Sequence, residues 1–144
     1  PYQFWLASPG FSDRIEPVEK FLRHGVSLEE RLVEIVVLVV AKHWCAQYVW
    51  TSHGPSAEKA SVDPAIVEAI RAGEKPPFEK DDEALCYDVS SALVNGQGIN
   101  DALWARADSI IGDVGINEVL GLIGLYTSVC LTMVAYQVPA KPTA

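Results

Sequence analysis

The chain has three cysteines, Cys45, Cys86 and Cys130, and no two of them form a C-x-x-C pair or a metal-ligand spacing. A disulfide framework and a zinc knuckle are both excluded on that ground. An odd, scattered set reads as small apolar packing residues in a reducing compartment, so the cytoplasm is the expected location. Basic residues are also scarce, eleven against nineteen acidic, and the net charge of −8 opposes attraction to nucleic acid or to an anionic membrane surface. No alternating strand pattern, repeat or low-complexity tract is present. No secretory leader is visible either, because Asp13, Arg14, Glu16, Glu19, Lys20 and Arg23 interrupt what would be its apolar region.

What remains is 144 residues, 49% hydrophobic, enough for one domain with a real core. The expected fold class is all-α, six or seven helices, in a single domain over 1–144 with an N-terminal arm at 1–13. The arm mixes Pro9 and Gly10 with Tyr2, Phe4, Trp5 and Phe11, as a segment packed on something does, another subunit included. A helix capped by Ser12 or Asp13 runs to about Arg23. Ser27-Leu28-Glu29-Glu30 reads as a capping box for a helix from about Leu28 to Ala41. Next comes a helix from about Cys45 to Ala60, with a kink expected at Gly54-Pro55. Asp63-Pro64 opens another helix, closed by Gly73. Asp81-Asp82-Glu83 starts one that reaches Asn95-Gly96, and Asn100 caps one ending near Gly112.

The last helix, about Ile116 to Tyr136, has no charge after Glu118 and is long enough to span a membrane. Asn117 and Glu118 at its start, and the lack of a flanking basic cluster, favour a soluble core or interface helix instead. Gly121, Gly124, Ser128 and Thr132 would then permit close helix approach.

The chemistry-bearing groups concentrate in Glu34 to His53, EIVVLVVAKHWCAQYVWTSH. On one straight helix Glu34 and His53 would lie roughly 28 Å apart. They can meet only if the chain turns between them, and Lys42 to Cys45 is where the apolar run stops. A carboxylate among Leu32, Val33, Ile35 and Val36 needs a partner when buried, and His53 suits it. The bland alternatives are a core histidine and a solvated first-turn glutamate. His43 could offer a donor to an anion at the start of the following helix, and Trp44, Tyr48 and Trp50 could wall a pocket. Cys45 is conceivable as a reactive thiol at that helix terminus. The His43, Cys45, His53 and Glu34 spacings match no usual zinc motif.

At these residues the sequence resembles the carboxymuconolactone decarboxylase family, which includes the alkylhydroperoxidase D-like proteins. The resemblance runs from Phe4 to Pro139, through FLRHGVSLEERLVEIVVLVVAKHWCAQYVWTSH, DPAIVEAIRAG and VLGLIGLYTSVCLTMVAYQVP. It implies antiparallel helix pairs assembled as homo-oligomers, trimers or hexamers, with sites near subunit contacts. The peroxidase branch carries its two redox cysteines where this chain has Ala46 and Val49. The non-thiol branch commonly reads YEW where Tyr48-Val49-Trp50 stands, and often Asp where Cys45 stands. Glu34 and His53 match.

Together these features lead to a cofactor-independent decarboxylase or lyase acting on a small carboxylated lactone or ring acid. His53 and Glu34 would be catalytic, with His43, Trp44, Tyr48 and Trp50 binding substrate. The rivals are a peroxide reductase using Cys45 and a non-catalytic oligomeric binding protein.

Overall fold

The computed structural model describes residues 1–142; the last two positions of the expected 1–144 domain lie outside the described residues. The described residues form seven helices: α1 Tyr2–Trp5, α2 Pro9–His24, α3 Glu30–His43, α4 Gln47–Lys59, α5 Pro64–Ala72, α6 Asp81–Val94 and α7 Asp101–Ala135. The described residues contain no strand. The all-α expectation holds.

At the centre is α3, in which every residue from Leu32 to Ala41 is buried. Its partners are α4, α5, α6 and α7. That surround explains why a valine-rich run is helical here: a helix covered on all sides is apolar on all sides, and tertiary burial outweighs the modest helix penalty of β-branching. A Schellman turn ends α3. Ala46 N–H donates to the Ala41 carbonyl at 3.0 Å and Cys45 N–H to that of Lys42 at 3.1 Å, and Cys45 takes the left-handed conformation, φ 52°. Glycine usually fills that position. The chain reverses within three residues, so α3 and α4 pack as a helical hairpin.

Three local expectations are corrected. Ser27 does not cap α3, whose N-cap is Glu29. Instead its amide and hydroxyl donate to the buried Glu118 carboxylate on α7, at 2.9 and 2.7 Å, because the helix starts too late for Ser27 to reach its amides. Gly54-Pro55 does not interrupt α4, which continues to Lys59. The helix that Asn100 caps does end near Gly112, as expected: the backbone there, φ 64°, ψ 179°, is a conformation only glycine adopts readily, and it separates the two helical halves of α7. Finally, the arm packs on its own chain: the buried Trp5 indole donates to Thr132 Oγ1 at 2.9 Å, and Phe4 stacks on Tyr136 at 4.2 Å.

By length and mean hydropathy, 1.7 in its most apolar stretch, α7 passes as a membrane span. Its stripe Ile116, Val119, Leu122, Leu125, Tyr126, Val129, Cys130 and Met133 is buried, and the helix packs on α3 and α6. Gly121 admits Leu22 of α2, which would stand 3.0 Å from an added Cβ, whereas Gly124 faces open space. Val114, Leu120, Leu131 and Val134 are exposed apolar side chains on the same helix.

Candidate active site

Reversal of the chain at Trp44 to Ala46 places Glu34, one turn into α3, against His53, midway along α4. His53 Nδ1 and Glu34 Oε2 are 2.7 Å apart, and both residues are buried. A carboxylate at that distance holds a proton on Nδ1 and leaves Nε2 to face a reactant. Among the described residues Nε2 has no partner, and it is not sealed: only Trp50 Nε1 and Ser90 Oγ are buried polar side-chain atoms there without one. The same is true of Glu34 Oε1.

Ala46 and Val49 lie seven and four residues before His53, on its face of α4, and each is 2% exposed. They bring methyl groups to the pair, not thiols. Against His53 also stands Tyr126 of α7, its ring perpendicular and 5.1 Å away between centroids. Burial drives the phenol well above its usual pKa; the nearby Arg23 charge opposes that rise, and Glu34 and Glu19 add to it. The phenol is therefore a neutral donor throughout the physiological range. Sequence reasoning missed Tyr126. The available signal was a lone hydroxyl-bearing aromatic on an otherwise apolar buried stripe, where a polar tip calls for a partner.

The other residues expected at the site are distributed around it. His43 is exposed and borders a hollow of about 300 Å³ with Lys42, Tyr87, Ser91 and Asn95. Trp44 meets His43 edge to face at 5.0 Å and directs its indole to Thr127 Oγ1 at 3.4 Å. The Tyr48 ring lies under the Lys141 ammonium, 5.1 Å from its centroid. Trp50 is buried, with the Arg71 guanidinium over its ring. Glu34 and His53 are brought together.

Cys45 corrects the expectation that all three cysteines are packing residues: it is exposed, because the left-handed turn residue points outward. It opens onto a hollow of about 120 Å³ with Lys42, Gln47, Trp50 and Arg71, apart from Glu34 and His53. Cys86 and Cys130 are buried, and burial pushes both thiols up to about 12. They are inert core residues. No group of three His, Cys, Asp or Glu residues suited to a metal ion occurs among the described residues.

No family model and no curated protein matches the sequence. Solved structures do match. A protein of unknown function from Agrobacterium tumefaciens, described as a candidate antioxidant defence protein AhpD, superposes with a TM-score of 0.84 at 13% identity, over 97% of each chain. The fold is AhpD-like. An uncharacterised peroxidase-related protein from Silicibacter sp. gives a TM-score of 0.80 at 16% identity, over 99% of this chain and 75% of that one. Identities this low establish the AhpD-like architecture and carry no activity with them. They do not point to the decarboxylase branch.

Proposed function

We propose that this AhpD-like protein is an acid–base enzyme, a cofactor-independent decarboxylase or lyase acting on a small carboxylated lactone or similar ring acid. The observation behind this reading is the 2.7 Å contact of His53 with Glu34 where Ala46 and Val49 leave the neighbouring positions without a thiol. In a decarboxylation the bond from ring carbon to carboxylate breaks, its electron pair passes onto the ring as an enolate, and carbon dioxide leaves. A proton from the His53 imidazolium then adds to the carbon, and solvent returns one to the imidazole. An apolar surround favours the charge-dispersed transition state over the localised carboxylate. Ala46, Val49 and Tyr126 supply it.

Exposed Val114, Leu120, Leu131 and Val134 along α7 support homo-oligomerisation through this helix, which would bury them. Carboxylated lactones tested against wild type and His53→Gln give the decisive comparison. Loss of this proton donor should lower turnover by about 10²-fold or more. Equal turnover by the two proteins would remove the proposal.

A second reading, peroxide reduction at Cys45, is favoured by that thiol's exposure beside Lys42 and Arg71. It requires that peroxide consumption disappear in Cys45→Ser. Persistence of the activity in that variant rules it out.

A further inference from the structure

Three side chains at one place in the core each keep a polar atom unused. His53 Nε2, Glu34 Oε1 and the Tyr126 hydroxyl have no hydrogen-bond partner among the described residues, and none is among the sealed atoms. The three belong to contiguous side chains, since Glu34 bonds His53 at 2.7 Å and His53 meets the Tyr126 ring at 5.1 Å. A tyrosine that is 3% exposed ordinarily directs its hydroxyl to a carbonyl or carboxylate of its own protein. This one does not, although Arg23 and Glu19 of α2 lie within electrostatic reach of it.

We propose that the Tyr126 hydroxyl is the oxyanion-binding donor of this site, taking a carboxylate or enolate oxygen of a small acid beside His53. The proposal rests on the acid–base reading of Glu34 and His53 and adds the chemical class that the site selects, a small organic anion over its neutral isostere. Tyr126 transfers no proton. Its O–H donates to the negative oxygen from a side chain only 3% exposed, where water screens such a donor least. His53 faces the same oxygen or the adjacent carbon through Nε2. A phenol held protonated by burial can serve as this donor whatever the protonation state of the imidazole.

Acetate and its neutral isostere acetamide are suitable probes, because both are small and they differ chiefly in charge. Titration of each into wild type and Tyr126→Phe, followed by NMR of the His53 imidazole, reads the contact directly. Wild type should bind acetate saturably and prefer it to acetamide. Tyr126→Phe keeps the ring and its packing, and it should weaken acetate at least about tenfold while changing acetamide much less.

Unchanged acetate affinity in Tyr126→Phe overturns the proposal, as does the absence of saturable acetate binding in wild type. A purely structural tyrosine would lower the thermal midpoint and leave the preference for acetate over acetamide intact, which also overturns it. The acid–base reading stands or falls separately, on turnover of a ring acid by His53→Gln. Loss of turnover there together with normal acetate binding by Tyr126→Phe sinks only the oxyanion assignment.

Discussion

Replacing His53 by leucine while keeping Glu34 should expose how the buried pair is held. Glu34 is 4% exposed, and its one hydrogen bond is to His53. Removing one partner of a buried ionisable pair leaves the other desolvated and uncompensated, which costs about 3 to 5 kcal/mol. For a chain of this size that lowers the thermal midpoint by roughly 6 to 20 °C.

The double variant Glu34→Leu/His53→Leu removes the stranded carboxylate as well. Its neighbours on α3, Val33 and Ile35 to Val40, are already aliphatic and buried, so it should recover to within about 1 kcal/mol of wild type or exceed it. Urea unfolding of wild type, both single variants and the double closes the cycle, provided the slope with denaturant stays constant. A double variant as unstable as His53→Leu alone would refute the reasoning. In that event the cost lies in lost packing at His53 and not in the carboxylate left behind. The recovered protein should have no turnover, which is the signature of a pair kept for chemistry at no gain in stability.

Cys45→Gly should stabilise the protein by about 0.5 to 1 kcal/mol, because glycine relieves the left-handed strain at φ 52° and gives back part of that gain as unfolded-state entropy; a lower urea midpoint would contradict it. Asp82 pairs with Arg31 at 3.0 Å, and that hydrogen bond first, with the guanidinium charge, holds its carboxyl below the usual range. A depressed folded-state pKa contributes stability above the unfolded value of about 4, and the contribution is lost as pH falls through the folded value. Asp82→Asn should therefore be destabilised at pH 6 and approach wild type near pH 2; an equal deficit at both pH values would count against this pairing.

Helix content was legible because its signals are local. Asp63 caps α5 through Ala65 N–H at 2.7 Å, Asn100 caps α7 through Leu103 N–H at 2.9 Å, and Gly73 closes α5 in the left-handed conformation. The capping box at Ser27 failed for a tertiary reason: Glu118, 91 positions away, takes the donors that local pattern assigns to the helix. Gly112 shows the reverse case: its local stop signal holds, since its non-helical backbone separates the two helical halves of α7.

The pairing of Glu34 with His53 could be inferred from chemistry alone, because a carboxylate in an apolar run needs a partner and only a reversal near Lys42 to Cys45 supplies one. Tyr126 could not. Its place beside His53 depends on how α7 lies against the α3–α4 hairpin, a relation among residues more than seventy positions apart that leaves no trace in periodicity. The dispersal of His43, Trp44, Tyr48 and Trp50 follows from helix rotation around the same corner, where successive residues point in directions about 100° apart. The sequence by itself determined the helices, the central apolar segment and the chemical need of one buried carboxylate. Only tertiary packing decided which groups beyond His53 meet it, because contacts between helices depend on the relative rotation and depth of whole elements.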